Sequence, residues 1–250
     1  MTPTSDQTPP SPAAHPRAGD AHTRLASERM DYRAGTLGDD VPADPLELFG
    51  RWLSEAFDRR DSEGDLPEPT AVVLSTIELP TGDASADGGH PSARPRSRTV
   101  LLKEHDERGF VIYTNGDSAK GQEMSGTPWA AMLFPWYALQ RQVRVEGFVQ
   151  RVDDAEADEY FASRPRGSQL GARASHQSRP IASREALDAQ YAQVEREFEG
   201  REVPRPEHWG GFRLVPDRIE FWQGRSGRMH DRIVYTSEGS GSWTHERLQP

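Results

Sequence analysis

Residues 141–152 read RQVRVEGFVQRV, and the order of residue types decides how they lie. Val143, Val145, Gly147 and Val149 fall on one side of an extended chain, with Gln142, Arg144, Glu146 and Phe148 on the other. Strand side chains alternate between the two faces of a sheet, so this period of two predicts a half-buried strand. A strand with one wet face fits an antiparallel sheet better than a parallel one. Working outward, β-branched and aromatic runs recur at 71–77 (AVVLSTI), 99–102 (TVLL), 110–114 (FVIYT) and 130–134 (AAMLF). They continue at 211–215, 218–223, 233–236 and 242–248, separated by turn residues such as those at 105–109 (HDERG). Helices interrupt this pattern. Asp44-Pro45 supplies an N-cap and a first-turn proline, followed by apolar Phe49, Trp52, Leu53, Ala56 and Phe57 at helical spacing. Acidic residues at 153–154 open a second helix, and a third is expected near 183–199. The fold class is mainly β with helices: an antiparallel barrel or open sheet.

The chain has 250 residues, with 30 Lys and Arg against 40 Asp and Glu, for a net charge of −10. No global basic excess favours bulk nucleic-acid binding. No apolar run approaches the ~18 residues of a membrane span, and the first residues lack a basic and apolar leader. A soluble, cytoplasmic protein is expected, with no nucleic-acid or membrane partner. Without cysteine, thiolate catalysis, disulfides and Fe–S ligation are excluded. Residues 1–23, rich in Pro, Ser, Thr and Ala, read as a disordered tail. Residues 24–250 read as one domain carrying a long hairpin loop at 79–97.

Three regions concentrate polar chemistry. Arg98 and Lys103 bracket a strand, and Ser118 and Lys120 fall where a helix should start, a combination suited to a phosphate or to plain solvation of strand ends. Residues 160–180 gather Tyr160, Arg164, Arg166, Arg173 and Arg179 with Ser168, Ser175 and Ser178, either as donors for an anion or as a surface loop paired to acids. Residues 220–232 place Trp222, His230 and three arginines around two glycines, a lining for a ring-shaped ligand or a hairpin with a core Trp. The histidines show no metal-ligand spacing, so no metal site is expected. Nucleophile-elbow, dinucleotide-fingerprint and P-loop motifs are absent from the sequence.

Together, 98–103 (RTVLLK), 113–115 (YTN), 134–136 (FPW), 141–143 (RQV), 160–169 (YFASRPRGSQ), Gln177-Ser178, 209–211 (WGG), 219–224 (IEFWQG), 228–232 (RMHDR) and 247–250 (RLQP) resemble the pyridoxine/pyridoxamine 5′-phosphate oxidases. The resemblance runs in family order from about Arg29 to the last residue. It implies an FMN-binding split β-barrel and a homodimer with flavin at the subunit interface. The implied reaction is oxidation of a phosphorylated B6 vitamer to pyridoxal 5′-phosphate by O2, releasing H2O2. The FMN set it implies is Arg98, Thr99, Val100, Leu101, Leu102 and Lys103, with Tyr113, Thr114, Lys120, Gln142, Gln177, Ser178, Trp222 and Arg232. The implied substrate set has Lys103, Tyr160, Arg164 and Ser168 at the phosphate and catalytic Arg228 and His230 at the pyridine ring, where His230 is suited to take up a proton. Arg29 and Tyr32 resemble a pair that covers the bound substrate. Two positions depart from the pattern: Ala119 stands where relatives often have a basic residue, and Arg173 where they commonly have a large aromatic. The competing expectations are a split-barrel flavin oxidoreductase acting on another substrate and a non-catalytic protein binding FMN or pyridoxal phosphate.

Overall fold

The computed structural model describes residues 30–79 and 93–250. Its strands are β1 (Ala71–Glu78), β2 (Arg94–Leu101), β3 (Glu104–Asp106), β4 (Gly109–Asn115), β5 (Trp129–Trp136), β6 (Arg141–Arg151), β7 (Trp209–Gln223), β8 (Asp231–Gly239) and β9 (Ser242–Arg247). They form one nine-stranded sheet in the order β2-β1-β5-β6-β7-β4-β3, with β8 pairing both β7 and β9. The pairings are antiparallel, and among the described residues the sheet does not close on itself.

β7 divides the sheet. Its first part pairs with β4, from Asn115↔Trp209 to Phe110↔Leu214, and its last part pairs with β8, from Arg218↔Thr236 to Gln223↔Asp231. β6 runs along both parts, and its register shifts between Glu146 and Gly147. A side chain at Gly147 would place its Cβ only 2.1 Å from the Val215 carbonyl oxygen, so the crossing requires glycine. Pro216 lies at the same irregularity, where the ladder is already interrupted. For that reason the expected strands at 211–215 and 218–223 are one continuous strand.

α1 (Pro45–Glu63) plugs one face of the sheet. The Leu46 N–H donates to the Asp44 carboxylate, and Gly64 closes the helix with φ 71°. Phe49 of α1 meets Phe110 of β4 at 4.8 Å and Phe134 of β5 at 5.0 Å between ring centroids, and Trp52 meets Phe221 of β7 at 5.2 Å. The alternation read at 141–152 holds: Val143, Val145, Gly147 and Val149 are buried, whereas Phe148 is exposed.

The remaining helices are α2 (Ala119–Gly126), α3 (Asp154–Ser163), α4 (Arg166–Ala174) and α5 (Arg184–Glu197). Ser118, Asp153 and Ser183 cap α2, α3 and α5 through side-chain oxygens. A second apolar cluster of Phe161, Leu170, Phe198, Val203 and Trp209 packs α3 and α4 against the start of β7. Helix α4 was not expected, because its glycines and arginines hide the apolar pair Leu170 and Ala174 that it buries. β2 reaches back to Arg94, so less of 79–97 is loop than its composition implies; residues 80–92, and the expected tail at 1–23, lie outside the described residues. Among the described residues, no helix is long and apolar enough to cross a membrane.

Candidate functional site

The end of β2, the end of β4 and the first turns of α2 and α4 meet around a cavity of about 480 Å3. Thr99, Val100 and Leu101 form one wall. Leu102, expected beside them, is 3 % exposed and packs in the core, because the chain turns inward after β2. Its N–H donates to the Thr70 carbonyl, and the next N–H, from Lys103, donates to Val111.

One corner of the cavity is the N-terminus of α2. The Ser118 hydroxyl accepts from the Gly121 N–H at 3.3 Å, and Lys120 Nζ donates to Thr114 Oγ1 at 3.2 Å and Ser118 Oγ at 3.5 Å. Burial lowers the Lys120 pKa, the Arg98 charge lowers it further, and Glu123 opposes both. Arg98 itself does not line the cavity. Its guanidinium donates to Glu123 Oε2 at 2.6 Å and to Thr76 Oγ1, and Thr76 donates to the same carboxylate at 2.5 Å. Glu123, one turn along α2 from Lys120, holds Arg98 behind this corner, a role that no motif in the sequence marks.

The opposite corner is built by the end of α3 and the start of α4. Tyr160, Arg164 and Ser168 line it with Lys103. Arg164 Nη1 is buried without a hydrogen-bond partner, and among the described residues no carboxylate pairs with Arg164 or with Lys103. Burial lowers the Arg164 pKa, with Tyr160 opposing. The Tyr113 ring stacks on Tyr160 at 3.9 Å and 12°, and its hydroxyl donates to Glu104 Oε1 at 3.1 Å. Burial first, and Glu104 second, push the Tyr113 pKa up. Thr114 Oγ1 donates to Gln177 Oε1 at 3.2 Å, which holds Gln177 at the cavity; Ser178 follows with φ 69° and is not part of the lining.

The other expected residues gather elsewhere. Gln142, Trp222 and Arg232 stand side by side across β6, β7 and β8 in the registers Gln142↔Trp222 and Trp222↔Arg232. They line a separate cavity of about 200 Å3 with Leu133, Arg144 and Glu220. Arg232 Nε donates to Glu220 Oε1 at 2.7 Å. Beside them the His230 ring lies 4.6 Å from Trp222, and Tyr32 meets both rings edge-on, at 5.7 Å from Trp222 and 5.4 Å from His230. Tyr32 fits there because residue 224 is glycine: a Cβ would come within 2.7 Å of its ring. The segment after Tyr32 is pinned by Gln140 Oε1, which accepts the Arg33 and Ala34 N–H groups, and by Asp231, which accepts the Leu37 N–H. Arg29 lies outside the described residues.

His230 Nδ1 accepts the Arg225 backbone N–H at 3.1 Å. A backbone N–H only donates, so the neutral ring carries its proton on Nε2. Burial, and after it the Arg228 charge, hold the His230 pKa below its usual value. In this arrangement His230 offers a donor, and taking up a proton at Nε2 first requires giving up the Arg225 bond. Arg228 is held at φ 65°, in the left-handed region that a residue other than glycine seldom occupies.

The expected flavin and substrate sets are therefore each split between two places on one chain. β1, β5 and β6 stand between β2 and β7 in the sheet order. Of the two departures, Ala119 begins α2 and supplies no charge there. Arg173 does not line the cavity: it donates to the Pro204 carbonyl at 2.9 Å and lies 4.8 Å over the Phe198 ring.

The model of the pyridoxamine 5′-phosphate oxidase family matches residues 63–197, and the pyridoxine 5′-phosphate oxidase C-terminal dimerisation region matches residues 209–250. A pyridoxine/pyridoxamine 5′-phosphate oxidase of Rubrobacter xylanophilus is 52 % identical over 231 residues, covering 92 % of this chain and 98 % of its own. One of Janthinobacterium sp. is 48 % identical over 227 residues, covering 90 % and 99 %. Among solved structures, PhzG from Burkholderia lata in complex with tetrahydrophenazine-1-carboxylic acid is similar at TM-score 0.72 and 33 % identity, covering 85 % of this chain and 95 % of that one. A pyridoxamine 5′-phosphate oxidase-related, FMN binding protein from Nostoc punctiforme shares the fold at TM-score 0.60 and 16 % identity, covering 80 % of this chain and 96 % of that one.

Proposed function

The chain belongs to the pyridoxine/pyridoxamine 5′-phosphate oxidase family, and from that premise we propose that it uses FMN and O2 to make pyridoxal 5′-phosphate from pyridoxine 5′-phosphate or pyridoxamine 5′-phosphate. The alcohol and O2 yield the aldehyde and H2O2; the amine also consumes one water and releases ammonia. The observation that carries this reading is the corner where Arg164 and Lys103, with no carboxylate partner among the described residues, face the same cavity as Ser168 and Tyr160. Two cations and two hydroxyls suit a phosphate of charge near −2. Lys120 and the capped N-terminus of α2 form a second anion corner, so the donor set fits two phosphorylated ligands, one of them FMN.

FMN, when bound, supplies the two-electron acceptor for the bond broken at substrate C4′. The chain's own residues contribute binding and orientation. Lys103, Arg164, Ser168 and Tyr160 hold the substrate phosphate, while Lys120 and the α2 N–H groups hold that of the cofactor. His230 donates from Nε2 to the substrate ring, with Arg228 beside it. The C-terminal match to a dimerisation region supports a homodimer. A second copy would carry its Gln142, Trp222, Arg228, His230 and Arg232 to the cavity of the first and reunite the divided sets there.

PhzG, at 33 % identity and in complex with a carboxylic acid, favours a second reading in which this chain acts on a carboxylic acid instead. Against it, a lone carboxylate leaves part of the Lys103, Arg164 and Ser168 corner without a partner. The deciding experiment gives purified, FMN-loaded protein pyridoxamine 5′-phosphate and follows O2. Uptake of O2 with formation of pyridoxal 5′-phosphate and H2O2 is expected. Bound flavin without turnover leaves a carrier or another substrate, and protein that cannot be loaded with FMN overturns the flavoenzyme reading.

A further inference from the structure

Other arginines near these cavities are committed to carboxylates: Arg98, behind the Lys120 corner, to Glu123, and Arg144 and Arg232 to Glu220. Arg164 is held differently. Its guanidinium lies 4.6 Å over the Trp209 ring and 5.6 Å over that of Phe161. Trp209 is 5 % exposed and stacks nearly parallel to Tyr113, at 5.7 Å and 8°, and to Tyr160, at 6.1 Å and 4°. The Trp209 carbonyl accepts from Arg205 at 2.7 Å, and Arg205 is fixed in turn by Asp154 and Asp158 of α3. The ring that carries Arg164 is thus tied to the helix that ends at Arg164.

We infer that Trp209 is a positioning residue for Arg164 and that it sets the preference for phosphorylated over unphosphorylated ligands. The inference rests on the functional reading above. An aromatic face attracts a guanidinium through its quadrupole and leaves the N–H edge free to donate. A carboxylate would hold the side chain equally well, but it would occupy those N–H groups and cancel the charge that a phosphate must meet. The buried, unpartnered Nη1 is what such an arrangement leaves for an incoming anion.

The test measures equilibrium binding of pyridoxal 5′-phosphate and of unphosphorylated pyridoxal to the FMN-loaded protein. Trp209→Leu should weaken the phosphorylated ligand roughly tenfold and leave pyridoxal and flavin content unchanged. Trp209→Phe, a milder change that keeps a ring, should show the same selective loss at about twofold. In an Arg164→Ala background, Trp209→Leu should add nothing, because the group it positions is gone. Equal weakening of both ligands, loss of flavin in parallel, or full additivity with Arg164→Ala overturns the inference and leaves Trp209 a core residue. If the unsubstituted protein fails to bind pyridoxal 5′-phosphate more tightly than pyridoxal, the functional reading falls and takes this inference with it.

Discussion

Arg98 and Arg164 carry the same guanidinium in opposite states. The first is held by Glu123 and Thr76 and stiffens the wall behind the Lys120 corner; the second is held by aromatic rings and keeps its charge available. If Arg164 holds the substrate phosphate as proposed, truncating it removes charge-assisted bonds made alike in the ground and transition states. Arg164→Ala is therefore expected to raise KM about tenfold to a hundredfold, with kcat and bound FMN near the unsubstituted values. Arg228→Ala, which the proposal puts at the reacting ring, should lower kcat as well. Steady-state kinetics with flavin absorbance read both, and equal loss of flavin in the two variants would show that the anion corners are misassigned. His230 supplies a related check. Its Nε2–H role predicts that His230→Gln, which can place a donor near that position, retains more activity than His230→Ala; equal loss in the two variants counts against the donor assignment.

The crossing of β6 and β7 is the element on which the division of the sheet depends. The Gly147 Cα faces the Val215 carbonyl at a distance no Cβ tolerates, so Gly147→Ala is expected to cost about 2 kcal/mol or more in urea denaturation. An unchanged midpoint would mean that β7 can shift without loss. Nearby, Arg213 of β7 is 2 % exposed and donates to Asp106 of β3 and Glu156 of α3, each at 2.7 Å. Removing Arg213 leaves both carboxylates to the exposed Arg108 alone, 2.6 Å from Asp106 and 3.7 Å from Glu156, and Arg213→Met should lose about 2–3 kcal/mol near pH 7. Burial works against the Asp106 carboxylate, but hydrogen bonds from Arg108 and the Arg213 charge outweigh it and hold its pKa below the usual range. A depressed carboxylate pKa stabilises the folded protein above the unfolded value near 3.8, and that contribution fades as pH falls through the lower folded value. The deficit of Arg213→Met should therefore shrink below about pH 4 and stay level between pH 5 and 8. A deficit that grows on acidification has the wrong sign for this account.

At the scale of the whole molecule, one chain holds two separate groups: the cavity of Lys103, Lys120 and Arg164, and the cluster of Tyr32, Trp222, His230 and Arg232. If a homodimer joins them, Arg164 and Arg228 of one site come from different copies. Arg164→Ala and Arg228→Ala chains, mixed so that subunits exchange, should then regain activity at subsaturating substrate, because each hybrid contains one site with both residues intact. No gain on mixing would place both residues in the same chain's site.

Much was legible because local rules act through neighbours in sequence. Alternation exposed the strand at 141–152, the Asp44-Pro45 cap marked α1, and Ser118 marked the start of α2 beside Lys120. The family followed from several short motifs in order, since each is a contiguous string. What depends on residues far apart in the chain was not visible: the continuity of β7 through Pro216, the helix at Arg166–Ala174, and the burial of Leu102 away from the cavity. The engagement of Arg98 by Glu123, the tautomer set on His230 by the Arg225 N–H and the seat of Arg164 on Trp209 belong to the same class. By itself, the amino-acid order determined which groups were present and which backbone form each short segment prefers. Only the packed sheet decided which charges find a partner and which stay free, because pairing over a few ångströms depends on strand register and helix docking that no local pattern encodes.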